Sequence, residues 1–117
     1  MAQMMNYEGP RHLAGVVGDV LPDRSSRILD AASGVGLLGK ELKALGFTCI
    51  DALDPSRASL EKCKESGAYT EYIRDTLDEH QTKIADNYYD AVAICGAFGV
   101  PGHVDLSCFP ELIRITK

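Results

Sequence analysis

Residues 26–40, "SRILDAASGVGLLGK", carry the reading of the fold. "RILDAA" is a short apolar run of the kind a buried strand makes. Gly34, Gly36 and Gly39 follow it as G-x-G-x-x-G. "GLLGKELKALG" then places Leu37, Leu38, Leu42 and Leu45 on one helical stripe, and Gly46 stands where a left-handed C-cap residue belongs. The stretch is therefore a strand, a glycine turn and a helix. Glycines at 34 and 36 allow a tight turn and let a ligand approach the backbone without a Cβ in the way. The helix starting near Leu37 directs its unpaired N–H groups and positive dipole end at the same place. A strand-to-helix turn without any ligand would carry the same glycines.

The rest of the chain alternates in the same way. "RHLAGVVGDVL" (Arg11–Leu21) has helical spacing at Leu13, Val16, Val17, Val20 and Leu21, closed by Pro22. "FTCIDALD" (Phe47–Asp54) reads as a second strand. A helix follows, with Ser56 as N-cap and Gly67 as C-cap. "YTEYIRD" reads as a third strand and "EHQTKIADN" as a polar loop. "YYDAVAICGAF" (Tyr88–Phe98) is a near-continuous apolar run, as for a strand buried on both faces. "LSCFPELIRITK" resumes helical spacing at Leu106, Phe109, Leu112 and Ile113, with Pro110 in the first turn. Such alternation predicts an α/β fold: a Rossmann-like, doubly wound, mainly parallel sheet in one domain over 1–117. In such sheets ligands bind beyond the carboxyl ends of the strands, where strand order reverses. The glycine turn, Asp54, Asp75 and Cys95 all fall on that rim.

Composition narrows the function classes. The 117 residues carry a net charge of −5, with 45% hydrophobic and 25% charged residues. No Lys/Arg cluster has the density of a nucleic-acid face. No apolar run reaches the roughly 18–20 residues of a membrane span, and the amino end lacks a signal-peptide pattern. Cys49, Cys63, Cys95 and Cys108 have neither zinc-ligand nor disulfide-framework spacing. They are expected to be reduced, mostly buried thiols, and the protein cytoplasmic or nuclear. No metal site is expected.

Two acids bear on the ligand. Asp54 ends the second strand 18 positions after Gly36, near the "about 20" at which an acid takes ribose hydroxyls. It equally suits capping the turn into the helix at Ser56, and its two oxygens allow both. Asp30 stands just before the glycines. A carboxylate there repels a pyrophosphate and attracts a cationic amino-acid end. S-adenosylmethionine carries such an end, an α-ammonium beside a sulfonium. Capping of the loop backbone is the other use for an Asp here.

At this point "ILDAASGVG" resembles the D-x-x-x-G-x-G motif of class I S-adenosylmethionine-dependent methyltransferases. "IDALDPS" resembles their second acidic motif, "YDAVAICGAF" their fourth-strand motif, and "PELIRITK" the helix leading to their fifth strand. "NYEGPRH", "DPS…L", "YDAV…GAF…GHV" and "PELIRITK" together look like the methyltransferase-like proteins related to the Williams–Beuren syndrome chromosome region 27 product. The resemblance covers about Asn6 to Lys117. It implies S-adenosyl-L-methionine as cofactor. Asp30, Ser33, Gly34 and Gly36 would lie around the methionine portion, and Asp54 at the ribose with Pro55 flanking the adenine. Asp75 and Thr76 would lie near the adenine edge, and Cys95 beneath the methyl donor. Ala32 and Val35 depart from the family pattern, which usually has Gly and Thr there.

The resemblance also implies a helix upstream, and a fifth strand and usually two more downstream, beginning where this chain stops. The chain is therefore expected to be a partial domain: an intact cofactor half with little of the acceptor pocket. "DAVAICGAF" would form the sheet edge, and the chain would be marginally stable or self-associate through it. The implied reaction is methyl transfer to a small-molecule or protein acceptor by in-line displacement. No catalytic residue is assigned; His103, in a turn past the fourth strand, reads as solvated, and His12 and His80 have no partner spacing. The alternatives are a non-catalytic module binding S-adenosylmethionine or S-adenosylhomocysteine, and an NAD(P)-binding oxidoreductase domain. Asp30 and the absence of a Tyr-x-x-x-Lys pair disfavour the latter.

Overall fold

Parallel strands need long crossovers, and the helices read from the sequence supply them. The computed structural model describes residues 2–3, 10–31, 36–76, 80–94 and 106–117. In chain order these form β1 (Ala2–Gln3), α1 (Pro10–Val20), β2 (Arg27–Ala31), α2 (Leu37–Ala44), β3 (Cys49–Leu53), α3 (Arg57–Ser66), β4 (Glu71–Ile73), β5 (Ala91–Ile94), a 3-10 turn over Leu106–Cys108 and α4 (Phe109–Ile115). The sheet order is β1-β5-β2-β3-β4, and each adjacent pair is parallel. The chain runs from β2 through β3 to β4 in one direction, then returns to lay β5 on the other side of β2. Strand order thus reverses at β2, and the rim beyond Ala31 and Ile94 is the switch point.

Strand alternation divides the core. Ile28, Ile50 and Ala52 meet Leu13 and Val17 of α1, Leu38 and Leu42 of α2, and Leu60 of α3. On the opposite face Leu29, Leu53 and Ile94 meet Leu112 and Ile115 of α4 with Ile84. All four residues of β5 are buried, as expected of a strand covered on both faces. The helix stops sit where their chemistry placed them. Gly46 has φ +101° just past α2, and Gly67 caps α3 at φ +68°. Ser56 Oγ accepts the Ser59 N–H at the start of α3. Three stripes are narrower than their spacing suggested, and in α1 it is Val20 that is exposed. Leu37 and Leu45 are exposed, leaving Leu38 and Leu42 to α2's buried face, and Ile113 is 71% exposed while Ile115 takes its place in the core. The side chains of Leu106 and Phe109 lie outside the described residues.

β5 is the fourth strand of the sequence reading, and it is not the open edge expected there. β1 pairs with it in parallel, Ala2 opposite Val92 and Gln3 opposite Ala93. Thr116 forms a further parallel bridge with Tyr89, supported by Tyr89 N–H to Ile115 O and Lys117 N–H to Tyr89 O, both 2.9 Å. A two-residue strand has no periodicity to read, which is why β1 escaped the sequence analysis.

Candidate functional site

The rim beyond β2 is organised around a buried carboxyl. Asp30 is the fourth residue of β2 and only 1% exposed. Its Oδ2 accepts a 2.5 Å hydrogen bond from the Tyr69 hydroxyl, which in turn accepts the Gly39 N–H of α2 at 3.0 Å. That N–H is one of the first donors of the helix, which have no partner within it. The hydroxyl therefore links the positive end of α2 to the acid at the end of β2. Burial pushes the Asp30 carboxyl up to about 7, the Tyr69 bond pulls it down and the nearby Asp54 charge pushes it up further. Near neutral pH this carboxyl is poised between its two forms, so an incoming cation decides its charge. Burial and the adjoining Asp30 likewise raise the Tyr69 hydroxyl far above the ordinary range, so it remains a donor.

The glycines fit the same cluster. Gly36 opens α2 at φ +91°, ψ 19°, with no side-chain cap. A Cβ there would stand 3.3 Å from Tyr69 Cε2 and 3.4 Å from Cys63 Sγ, and at Gly39 only 2.2 Å from Tyr69 Cζ. Gly36 is thus required by its backbone conformation, and Gly39 by the tyrosine ring beneath it.

One strand over, Asp54 follows the last residue of β3 and is 8% exposed. Its N–H donates to Ile73 O and its Oδ1 accepts the Ser56 N–H at 2.8 Å. The turn-capping role weighed in the sequence analysis is therefore present, carried by Oδ1. Pro55 is half-buried, and its carbonyl accepts from Arg74 Nε at 3.4 Å. Beyond β4, Asp75 Oδ1 accepts the Thr76 N–H at 2.7 Å and lies 2.6 Å from His80 Nε2. His80 thus has a partner that its spacing did not reveal. Asp30, Gly36, Asp54 and Pro55 gather at the adjacent ends of β2 and β3, with Asp75 and Thr76 one strand further out. Ser33, Gly34, Cys95 and His103 lie outside the described residues.

Tyr69 was missed as a site residue. It reads as the first residue of a strand, and nothing local marks it; the nearest hint is Gly39, a helix-interior glycine with no local reason to be one. Among the described residues no group of His, Cys, Asp and Glu is arranged to hold a metal ion. Cys49, Cys63 and Cys108 are outside any disulfide.

A carboxyl poised near neutrality, a glycine-opened helix N-terminus and a second acid at the next strand end make a rim suited to a ligand with both an ammonium and vicinal hydroxyls. Known proteins share this architecture. No protein-family model matches the chain. The human Methyltransferase-like protein 27 is 34% identical to it over 113 residues, 95% of this chain and 45% of that protein. The chain thus spans less than half the length of that curated relative. A putative S-adenosyl-L-methionine-dependent methyltransferase from Methanococcus maripaludis superposes with a TM-score of 0.73 at 24% identity, covering 92% of this chain and 50% of that one. A TehB-like methyltransferase from Corynebacterium glutamicum gives 0.72 at 19% identity, over 95% and 58%. A methyltransferase from Thiobacillus denitrificans in complex with S-adenosyl-L-homocysteine gives 0.64 at 18% identity, over 97% and 47%. The likeness to these structures shows the Rossmann-like α/β fold. The identity to the human protein bears out the resemblance to the methyltransferase-like proteins drawn from the sequence motifs.

Proposed function

We propose that this chain is the S-adenosylmethionine-binding core of a class I methyltransferase, acting on a small-molecule or protein acceptor. The observation that carries this reading is the placement of Asp30: a buried, tyrosine-held carboxyl at the switch point, beside a glycine-opened helix. An acid in that position opposes a pyrophosphate and suits an ammonium, which sets the NAD(P)-binding alternative aside. The similarity to Methyltransferase-like protein 27 supports the same cofactor.

The residues present fit such a cofactor. S-adenosylmethionine, when bound, supplies a sulfonium-activated methyl group to a nucleophilic acceptor atom. In this reading Asp30 receives the α-ammonium, with Ser33, Gly34 and Gly36 around the methionine portion. Asp54 takes the ribose hydroxyls, while its Oδ1 holds the Ser56 turn. Pro55 flanks the adenine, Asp75 and Thr76 stand at its edge, and Cys95 lies beneath the methyl donor. The chain's contribution to rate is then mainly positioning, since the methyl group is already activated. The 117 residues act as one cofactor-binding unit. Among the described residues no helix is long and apolar enough to cross a membrane. The three described thiols, Cys49, Cys63 and Cys108, are free, which suits a reducing compartment, and the location in this reading is cytoplasmic or nuclear.

Calorimetry tests the cofactor directly. S-adenosylhomocysteine is expected to bind and NAD is not; tight NAD binding without S-adenosylhomocysteine binding would sink the reading. Asp54→Ala is expected to cost most of the affinity, since charge-assisted hydrogen bonds to hydroxyls are worth roughly 1.5–3 kcal/mol each. Unchanged affinity in that variant would remove the ribose assignment alone. Transfer of tritiated methyl groups into a metabolite or protein extract separates an enzyme from a module that binds without turnover.

A further inference from the structure

Tyr69 lies outside the motifs that carry the resemblance, yet it joins three elements of the rim. It stands between α3 and β4, donates to Asp30 Oδ2 on β2 and accepts from the Gly39 N–H on α2. The start of α2 is built over its ring. A Cβ at Gly36 or Gly39 would press on Tyr69, at 3.3 Å and 2.2 Å respectively.

We infer that Tyr69 is the positioning residue for the amino-acid end of the cofactor: its hydroxyl fixes Asp30 Oδ2, presents Oδ1 to the ammonium and ties that acid to the N-terminus of α2. This rests on the assignment of Asp30 to the ammonium. A hydroxyl that accepts from an N–H is polarised into a stronger donor. That N–H belongs to the positive end of a helix, so Tyr69 transmits part of the helix field to the carboxylate. Among the described residues, the groups that face Asp30 are the Tyr69 hydroxyl from the α3–β4 link and Asp54 from beyond β3. Cys63 of α3 and the Gly39 N–H of α2 face Tyr69 in turn. Tyr69 favours the ionised acid, against both burial and Asp54. The ligand ammonium completes the ionisation, and the proton leaving the Asp30 carboxyl passes to the buffer. Binding near pH 7 is therefore coupled to proton release.

The test is calorimetric titration of the 117-residue chain with S-adenosylhomocysteine between pH 6 and 8.5, for wild type, Tyr69→Phe and Asp30→Asn. Wild-type affinity is expected to rise with pH and level off above about 7, where Asp30 is ionised in the free chain. Its binding enthalpy near pH 7 is expected to vary with the ionisation heat of the buffer. Tyr69→Phe keeps the ring and removes one charge-assisted hydrogen bond, so affinity at pH 7 is expected to fall about fivefold and the levelling-off to move up by about one pH unit. Asp30→Asn is expected to bind more weakly and without pH dependence. A Tyr69→Phe curve that matches wild type, or lies below it by the same factor at every pH, overturns the positioning role. Absence of wild-type binding overturns the cofactor reading and this inference with it. An Asp30→Asn curve equal to wild type removes the Asp30 assignment instead. Should Tyr69→Phe not fold, the carbon-13 shift of Tyr69 Cζ in the wild type decides. A shift that follows the Asp30 titration supports the coupling, and one indifferent to it overturns it.

Discussion

At the scale of the residue, Asp30 shows stability given up at the proposed cofactor site. Its carboxyl lies near 3.8 in an ordinary setting and about 7 in the fold, where burial is the largest cause. Between those values the folded chain holds a proton that the unfolded chain has lost. Stability therefore falls as pH rises from about 4 to about 7 and is flat above. The span corresponds to at most about 4 kcal/mol. Asp30→Asn keeps an acceptor for Tyr69 and removes the ionisation. It is expected to melt several degrees above wild type at pH 8, with the gap closing toward pH 4, while losing cofactor affinity. A variant less stable than wild type at pH 8 would show that Asp30 supports the fold. Asp30, Gly36 and Asp54 were readable in the sequence because each lies at a strand end or helix start that local patterns mark. Tyr69 was not, because its hydroxyl acts across 39 positions of chain.

At the scale of the element, the polar stretch between β4 and β5 is held by α4. Glu111, 5% exposed in the first turn of α4, accepts at Oε2 from the Thr82 N–H (2.7 Å) and hydroxyl (2.5 Å). Arg114 binds both Glu111 oxygens at 2.7 Å, then reaches Ile84 O at 2.7 Å and Asp86 at 2.5 Å. Ile84 is thereby set into the core face that α4 covers. Burial opposes the Glu111 charge, but the Arg114 and Thr82 bonds together hold its carboxyl down to about 2 from 4.5. An acid depressed in this way contributes stability above its unfolded value, and that contribution is lost as pH falls from about 4.5 toward 2. Glu111→Gln is expected to destabilise the chain by about 2–3 kcal/mol in urea unfolding at pH 7, with a smaller gap at pH 4. Equal midpoints at pH 7 would mean that the stretch is held by apolar contact alone. The sequence showed α4 through its spacing and Pro110, and the stretch as polar. The link between them was invisible because Glu111 and Thr82 are 29 positions apart.

At the scale of the molecule, an all-parallel sheet must protect two edges, and this one does so differently at each. β4 is three residues long and begins with the exposed charge of Glu71. On the other side, β1 lies along Val92 and Ala93, and Thr116 along Tyr89, so these two segments share the outer side of β5. Counting the strands that periodicity reveals leaves β5 as the border; including a dipeptide too short to have a period does not. The expected self-association then becomes a statement about β1. Deleting residues 1–5 exposes the backbone of a strand whose residues Ala91–Ile94 are all buried. An apolar parallel edge of that kind recruits another chain. The shortened chain is expected to form dimers or larger species in sedimentation as concentration rises, over a range in which the full chain stays monomeric. Identical sedimentation of the two would show that two backbone pairs are too few to guard the edge. Association of both to the same extent would show that the edge remains open with β1 in place.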